Sequence, residues 1–491
     1  MHYDVIIIGS GAGGSAAAYH LAQTGKRVLV LEKGMPLPRD GSTLDADKVV
    51  RRGLFLADEP WLDRQGRITV PEEHFNLGGK TKWYGAALLR FAPHEFEADA
   101  AHQCLAWPFG YEELERYYEE AERLLAVHPF PVEPGLRAIV AGLKRRDNGW
   151  REQTLGVGLA PDILQHPLEA RHFDGFASVR GLKADGEMLL ERVSRRGNLE
   201  LLTGKAVAGL LRHPNDPRRV IGVACEDGTR YEGDVVILAA GALHSPRLLQ
   251  TYLEASGLAA TLPCYRNVGR NYKFHVLTAM IAFSHRRVSD VLCKTLLMLH
   301  EALPHSTVQT LGGNLAEEIV RAQFPRGVPG WLADVVAGRA YGLFLQTEDG
   351  SHPDNRVLAH ANGSGRPGLD YDPGRVPQAV TEHRQLVRTL QRQMLGLGYV
   401  TAVKSIPITG TAHACGTLVT GNDPGGSVVD AQGRVHGMEN VYVADGSVLP
   451  RSSRVNPALT IYAWGLRLAS HLGAKGEVHD NASSRPDPVW A

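Results

Sequence analysis

Two polar side chains in the C-terminal region, His413 and Asn456, could together act on an alcohol. A hydroxyl with a pKa like that of water, roughly 16, does not ionise on its own, so its oxidation needs a positioned base. A histidine, with an ordinary pKa of about 6.5, can accept that proton, and an amide can hydrogen-bond the same oxygen. The chain has 21 histidines, most of which must be surface or capping residues, so this hypothesis depends on the surrounding motifs.

A glycine-rich turn near the N-terminus predicts a nucleotide site. Residues 4–8 are typical of a buried parallel strand, and a helix-like stretch follows at 15–22. Between them the first glycine permits a tight turn, the second lets the backbone approach a pyrophosphate, and the last lets the helix lie close to the sheet. The helix N-terminus favours the phosphate charge. The turn contains Gly9, Gly11, Gly13 and Gly14.

A second strand at residues 27–31 ends at Glu32. A carboxylate at this point can accept hydrogen bonds from both ribose hydroxyls, and it disfavours the 2′-phosphate of NADP. A glycine-rich turn without a nucleotide is the alternative, but the strand, helix and acid in register favour nucleotide binding. These residues alone do not separate FAD from NAD.

Later motifs favour a flavin. Residues 234–241 form another buried strand that ends in a small-residue turn, and we expect Pro246 in the first turn of the helix that follows. The Gly-Ala-x-x-Ser-Pro-x-Leu-Leu sequence at 241–249 resembles the second signature of the glucose–methanol–choline (GMC) oxidoreductases. Segments 77–85, 267–271, 413–417 and 441–447 extend the resemblance in the family's order, whereas the middle of the chain matches poorly.

The resemblance implies FAD and further cofactor contacts. In the family, the paired-glycine segment lies along the pyrophosphate and the flavin ring, and the aspartate–glycine segment contacts the flavin end. Some members attach flavin covalently through a histidine in the paired-glycine loop. Residues 80–83 contain no histidine, which implies non-covalent FAD, with nearby His74 as the one exception to consider. The implied cofactor-binding residues, beyond the N-terminal glycines and Glu32, are Gly78, Gly79, Val207, Gly241, Asp445, Gly446 and Pro457.

The same resemblance matches His413 to the family's catalytic histidine and Asn456 to a position that carries histidine or asparagine. The chain is similar to the His/Asn members, which are of the pyranose oxidase type, so His413 would be the base and Asn456 would orient the alcohol. A helix cap is the alternative for Asn456, because asparagine before Pro457 describes an N-cap and a first helical residue. Apolar residues at helical spacing predict the helix in either case.

The predicted fold is α/β, with a Rossmann-like FAD-binding domain and a discontinuous α+β substrate domain, whose antiparallel sheet, as the resemblance implies, lies over the flavin. The FAD-binding domain is expected from residues 1–128, 187–275 and 407–473, and the substrate-binding or lid domain from 129–186 and 276–406. The polar tail at 474–491 is expected to be disordered. Candidates for hydroxyl recognition are His275, Gln346 and Thr347, although a structural role is favoured for each, so they stand outside the predicted site.

Composition limits the partners. The 53 Lys and Arg residues balance 53 Asp and Glu residues, which argues against nucleic acid and membrane surfaces. No apolar stretch approaches the roughly 20 residues needed to cross a bilayer. The five scattered cysteines suggest no metal, iron–sulfur or haem site. The chain enters its first strand directly after Met1, so we expect no targeting leader and a cytoplasmic location.

The leading prediction is FAD-dependent oxidation of a CH–OH group, favouring a secondary alcohol of a sugar or glycoside. The expected partners are a small alcohol and oxygen or another electron acceptor, and the chain could form a homo-oligomer. One alternative is a GMC-fold dehydrogenase of a non-sugar alcohol that passes electrons to a separate acceptor. Another is a lyase with a redox-idle flavin, since a fold does not fix a function.

Overall fold

The computed structural model describes residues 2–325, 329–361, 363–410 and 413–477. Within these ranges the chain forms three β-sheets and a set of α-helices. The strands are β1 (His2–Ile8), β2 (Val28–Glu32), β3 (Trp61–Asp63), β4 (Ile68–Thr69), β5 (Trp150–Thr154), β6 (Leu199–Thr203), β7 (Val207–Arg212), β8 (Val220–Cys225), β9 (Arg230–Leu238), β10 (His275–Phe283), β11 (Leu296–His300), β12 (Leu303–Thr310), β13 (Ala340–Glu348), β14 (Arg356–Leu358), β15 (Gly368–Asp370), β16 (Val400–Ser405) and β17 (Val441–Val443). The helices are α1 (Ala12–Leu21), α2 (Glu112–Leu124), α3 (Pro134–Arg146), α4 (Pro167–Arg171), α5 (Gly186–Val193), α6 (Gly241–Ala255), α7 (Leu315–Gln323), α8 (Gly330–Ala337), α9 (Pro377–Gly396) and α10 (Ala458–Glu477).

The first sheet has a parallel centre, as the predicted Rossmann-like domain requires. Its order is β6-β2-β1-β9-β8-β7, with β17 also paired to β9. Strands β6, β2, β1, β9 and β17 run parallel, while β7, β8 and β9 pair antiparallel. Because parallel strands end at one edge, the turns after β1, β2, β9 and β17 meet there.

The second sheet is entirely antiparallel, in the order β16-β10-β13-β12-β11-β5. One face packs on α9 and α3 through an apolar cluster that includes Met280, Leu343 and Leu390. The opposite face carries Phe344 and looks into the cavity at the edge of the parallel sheet. This is the antiparallel sheet that the family resemblance implied.

A third, small sheet has the order β14-β15-β3-β4. It pairs residues near 61–69 with residues near 356–370. Segments expected in different domains therefore share this sheet.

Two sequence expectations need correction. Helix α6 begins at Gly241, so Pro246 lies beyond the first turn, inside the helix. Helix α10 continues to Glu477, into the tail that was expected to be disordered from 474, because extending a helix that already packs on α1 and α2 costs less than starting a new one. The rest of that tail, 478–491, lies outside the described residues.

Helix α10 is buried between other elements. It packs on α1 and on α2, whose apolar face carries Leu114 and Tyr118. Helix α2 is amphipathic, with this apolar face buried and its glutamates mostly exposed. None of the helices in the described part of the chain is long and apolar enough to cross a bilayer.

Candidate active site

A cavity of about 880 Å³ lies at the carboxyl edge of the parallel sheet. This volume is within the range of cofactor and ligand sites. One end is formed by the turns after β1 and β2, and the other reaches the antiparallel sheet at Phe344. The predicted site residues that line it are Gly9, Gly11, Gly13, Glu32, Gly79, Val207, Gly241, His413, Asp445, Gly446, Asn456 and Pro457.

Two predicted site residues, Gly14 and Gly78, do not line the cavity. A Cβ on Gly14 would collide with the carbonyl oxygen of Gly9, because α1 lies against the end of β1. Gly78 has a φ of 82° and donates its backbone N–H to Ser10 Oγ at 2.9 Å. Both glycines therefore contact residues of the cavity wall without lining the cavity themselves.

At the nucleotide end, Glu32 is anchored by the neighbouring turns. Its Oε2 accepts hydrogen bonds from Ser10 N at 3.0 Å and Ser10 Oγ at 2.6 Å. Its Oε1 accepts one from Gly34 N at 2.9 Å. Burial raises the pKa of this carboxyl, against the lowering effect of these bonds. The carboxylate is therefore held at a fixed place on the wall.

The start of α1 suits an anion. A Cβ built on Gly11 would meet nothing within 4 Å, so the backbone is open to the cavity. Within the described part of the chain, no side chain caps this helix. Its first backbone N–H groups are donors that a phosphate can use.

Asp445 ties two strand ends together at the cavity wall. Its Oδ2 accepts from Gly241 N at 2.9 Å and Ser245 Oγ at 2.5 Å. Its Oδ1 accepts from the backbone N–H of Ser447 at 2.9 Å and from the Ser447 hydroxyl. Burial raises the pKa of the carboxyl despite these bonds. These hydrogen bonds hold the turn after β9 against the turn after β17.

His413 and Asn456 face each other at the other end. Nδ2 of Asn456 lies 3.2 Å from Nε2 of His413, and Oδ1 of Asn456 accepts a hydrogen bond from Gln309 Nε2. The first helical bond of α10 runs from Ile461 N to the Pro457 carbonyl at 3.0 Å. Pro457, not Asn456, therefore occupies the N-cap position, because its carbonyl accepts the first helical bond. Asn456 lies one residue earlier and uses its amide on His413 and Gln309, which disfavours the helix-cap alternative.

The hydrogen-bond chain beyond His413 determines where its proton lies. Nδ1 of His413 is 3.0 Å from Nδ1 of His275, and Nε2 of His275 is 2.8 Å from the Ser453 carbonyl oxygen. A carbonyl only accepts, so His275 carries its proton on Nε2 and its Nδ1 is an acceptor. His413 must then donate from Nδ1, which leaves a lone pair on Nε2 facing Asn456.

Both imidazoles are neutral. Burial lowers the pKa of His413 well below its ordinary value, and His275, Lys294 and Lys80 act in the same direction. Burial likewise lowers the pKa of His275 to about 4. His413 also has a φ of 69°, in the left-handed region, which costs backbone energy and is typical of functional sites.

The wall near this end mixes charge with apolar surface. Lys294 Nζ lies 2.7 Å from Asp174 Oδ2, and both side chains line the cavity. Asp174 Oδ2 also accepts from Gly312 N at 2.7 Å. Leu311 and Phe344 form the apolar part of the wall.

The three candidates for hydroxyl recognition do not line the cavity. Gln346 faces the cavity side of the sheet but donates to the Arg454 carbonyl at 2.7 Å. Thr347 points to the opposite face, where its hydroxyl is 2.9 Å from His383 Nδ1, because side chains alternate along a strand. His275 contacts His413 instead.

Comparison with known proteins identifies the family of this chain. A family model described as FAD dependent oxidoreductase matches residues 4–266, and one described as GMC oxidoreductase matches residues 358–465. The paromamine 6'-oxidase of Streptomyces fradiae is 30% identical over 512 residues, covering 95% of this chain and 90% of that protein. The chain belongs to the GMC oxidoreductase family. It is an FAD-dependent enzyme, as the sequence predicted.

Other GMC-type proteins are similar over nearly the whole chain. The 6'''-hydroxyparomomycin C oxidase of Streptomyces lividus is 27% identical, covering 97% of this chain and 93% of that protein. Among solved structures, pyridoxine 4-oxidase from Mesorbium loti superposes with a TM-score of 0.67 at 20% identity, covering 96% of this chain and 99% of that one. Formate oxidase of Aspergillus oryzae RIB40 gives 0.70 at 16% identity, covering 97% and 99%. The two structures share the fold.

The residues of this GMC chain fit FAD. The open backbone at Gly11 and the uncapped start of α1 offer space and donors for a pyrophosphate. The cavity then continues past Gly79 to His413, so an elongated cofactor can extend from one end to the other.

Two residues beside the His/Asn pair were not recognised from the sequence as its partners. Gln309 gave no signal, since a glutamine in a poorly matched strand has no distinguishing neighbours. His275 was noticed, but as a substrate ligand. Only the packing of β10 and β12 against residues 453–456 brings both into contact with the pair.

Proposed function

We propose that this enzyme oxidises a CH–OH group of a sugar or glycoside, with His413 as the base and Asn456 orienting the alcohol. The observation that carries the proposal is the Nε2 lone pair of His413, which faces Asn456 at the cavity wall. Bound FAD supplies the hydride acceptor.

His413 is suited to remove the hydroxyl proton. Its Nδ1 is already protonated toward His275, so Nε2 is the basic nitrogen. Burial, together with nearby Lys294, keeps the ring neutral and ready to accept. The hydroxyl of a bound alcohol would donate to Nε2 and replace the contact that Nε2 now makes with the Asn456 amide.

Asn456 is suited to hold that oxygen. Its carbonyl oxygen is occupied by Gln309, which directs its NH₂ group toward His413. An NH₂ group has two protons, so it can donate to a substrate oxygen while staying near the base. The amide then lowers the cost of charge that develops on that oxygen.

The chain's own residues would hold FAD without a covalent bond. We assign the phosphates to Gly11 and the start of α1, and the ribose to Glu32. Val207, Gly241, Gly446 and Pro457 line the same cavity. His74, the nearest histidine to the paired-glycine loop, donates from Nδ1 to the Phe55 carbonyl at 2.9 Å and stacks on Trp83 with ring centroids 4.7 Å apart.

Two observations favour a sugar-like substrate. The relatives named above are oxidases of paromamine and of hydroxyparomomycin C, which are aminoglycosides. The wall beside His413 also presents a cation and a carboxylate side by side, Lys294 and Asp174, which can donate to and accept from neighbouring hydroxyls. The names of these relatives also favour oxygen as the electron acceptor.

The decisive experiment is anaerobic mixing of the FAD-loaded enzyme with a panel of paromamine, glucose, a methyl glycoside and a simple aliphatic alcohol. We expect paromamine or another sugar to bleach the flavin band, and subsequent oxygen to restore it. Bleaching by the aliphatic alcohol alone would overturn the substrate class. A flavin that no panel member reduces, while a substrate is converted without redox change, would favour the lyase alternative.

A further inference from the structure

We propose that His275 is a positioning residue for this reaction: it accepts the Nδ1 proton of His413 and thereby keeps Nε2 of His413 unprotonated toward the cavity. The inference rests on the proposed role of His413 as the base. His275, at the start of β10, would thus determine which neutral tautomer His413 adopts.

The donor and acceptor roles in the hydrogen bond between the two rings determine the tautomer of His413. A neutral imidazole can carry its proton on either nitrogen, and only one of the two forms of His413 has a basic Nε2. The 3.0 Å contact between the two Nδ1 atoms needs one donor and one acceptor. Since His275 gives its own proton to the Ser453 carbonyl at 2.8 Å, its Nδ1 can only accept.

The Ser453 carbonyl is itself held in place. Ser453 has a φ of 64°, and its backbone N–H donates to Glu348 Oε1 at 3.0 Å. Its hydroxyl donates to Glu95 Oε1 at 2.7 Å. Ser453 is fully buried, so water does not compete for these bonds. The acceptor that orients His275 is therefore part of a rigid turn next to Asn456.

A neutral His275 also remains the hydrogen-bond acceptor of His413 when His413 gains a charge. When Nε2 takes the substrate proton, the His413 ring becomes a cation whose Nδ1–H still points at the His275 lone pair. The charged and titratable groups around the pair oppose one another. Lys80, Lys294 and a protonated His275 disfavour a cation at His413, and Glu348 favours one at His275. Burial, and then His275, lower the pKa of the neighbouring His383 to about 4.

Two substitutions at position 275 separate positioning from packing. His275→Leu removes the acceptor, whereas His275→Asn keeps an amide oxygen near the place of Nδ1. We expect kcat for the panel alcohol that best reduces the wild-type enzyme to fall about 100-fold or more in the leucine variant, within the range for loss of a general base. The asparagine variant should recover most of that loss, with KM and bound FAD unchanged in both.

His383→Leu is the matched control. This histidine is also buried and bonded to strand residues, Thr278 at 2.8 Å and Thr347 at 2.9 Å, but on the opposite face of the sheet. We expect a lower melting temperature and an unchanged kcat. A kcat loss in the control equal to that of the leucine variant would mean that His275 acts only through packing, and would overturn the inference.

Neutron diffraction from the FAD-loaded wild-type enzyme gives a test that needs no variant to fold. The expected result is deuterium on Nδ1 of His413 and on Nε2 of His275. Deuterium on Nε2 of resting His413 would overturn the inference. A His413→Ala enzyme measured in parallel distinguishes the two proposals: full activity there refutes the proposed function, whereas loss there with an active leucine variant refutes only the role of His275.

Discussion

At the scale of single residues, the proposed mechanism depends on one ring nitrogen, Nε2 of His413. His413 lies at a strained backbone position, bonded at Nδ1 and facing Asn456 at Nε2. The positive φ angle costs backbone energy, and the two ring contacts restrict rotation of the imidazole. Together they would hold a neutral base at the cavity wall. The single-residue predictions follow from that state.

Replacing His413 by alanine should leave FAD bound, because the cofactor contacts come from other elements. Flavin reduction by the alcohol should slow by about 10²–10⁴-fold, the usual contribution of a positioned base. Stopped-flow absorbance under anaerobic conditions measures it. Gln346→Ala, on the same face of the sheet but outside the cavity, is the control and should retain the wild-type rate.

The pH dependence of flavin reduction should follow the lowered pKa of His413. A base whose pKa is lowered is already deprotonated at neutral pH and loses its lone pair only as the pH falls through the lowered value. We therefore expect a constant rate from pH 8 down through the ordinary histidine range, with the decrease below it. A decrease centred near pH 6.5 would mean that His413 titrates as a solvated histidine.

At the scale of elements, two neighbouring glycines of the first turn have different tasks. A Cβ at Gly13 would collide with the Ala444 carbonyl, whereas a Cβ at Gly11 would project into the cavity. Gly13 therefore serves the packing of α1 against the end of β17, and Gly11 serves the ligand.

Gly13→Ala should destabilise the protein before any cofactor is added, by about 1–3 kcal/mol for an overpacked contact. Gly11→Ala should leave the melting temperature of the cofactor-free protein unchanged and weaken FAD at least tenfold, or about 1.4 kcal/mol. Differential scanning fluorimetry and flavin titration measure the two effects. Equal losses of stability in both variants would contradict this division.

Helix α6 contains Pro246, which cannot donate a backbone hydrogen bond to the carbonyl of Ala242 one turn earlier. The Thr417 hydroxyl supplies that bond at 2.7 Å. Thr417 lies beside the His413 segment, so this bond links the helix to the site.

Thr417→Val should lower the free energy of unfolding by about 1–3 kcal/mol, because it leaves a buried carbonyl without its donor. Adding Pro246→Ala should restore part of this, since alanine has the backbone N–H that can reach Ala242. Denaturant unfolding of both single variants and the double variant forms the cycle. Additive losses would show that the two positions are not coupled.

At the scale of the whole molecule, a buried ion pair joins the antiparallel sheet to the C-terminal region. Arg451 donates to both oxygens of Glu348, at 2.9 and 2.7 Å, and Glu348 also accepts from Ser453 N. Although burial alone would raise it, the bonds from Arg451 and His305 hold the pKa of Glu348 well below its ordinary value. The pair thus fixes the sheet against the turn that carries Asn456.

Glu348→Gln should destabilise the enzyme by about 3 kcal/mol at pH 7, because it leaves a buried guanidinium without its charge partner. Because folding lowers the pKa of Glu348, its ionised carboxylate stabilises the fold at pH values above the ordinary pKa of 4.5. This stabilisation is lost as the pH falls toward the lowered pKa. The difference from wild type should therefore shrink in acid, as calorimetry at pH 7 and pH 4 can measure. Glu301→Gln, in an exposed pair with Arg151, should change little at either pH.

The sequence by itself determined the parts whose signals are local. Gly9, Glu32 and the strands around them follow from periodicity and turn chemistry over a few residues, and the structure confirms the parallel sheet there. The GMC motifs likewise pointed to the family and to FAD. The antiparallel sheet was expected only through the resemblance.

Tertiary structure decided what depends on contacts between distant segments. Gln309 and His275 reach Asn456 and His413 only because β12 and β10 pack on residues 453–456, and no local pattern encodes such a contact. The side of the sheet to which Thr347 points depends on register, which a poorly matched strand does not reveal. The proton position on His413 is also a tertiary property, because a chain of bonds ending at the Ser453 carbonyl sets it.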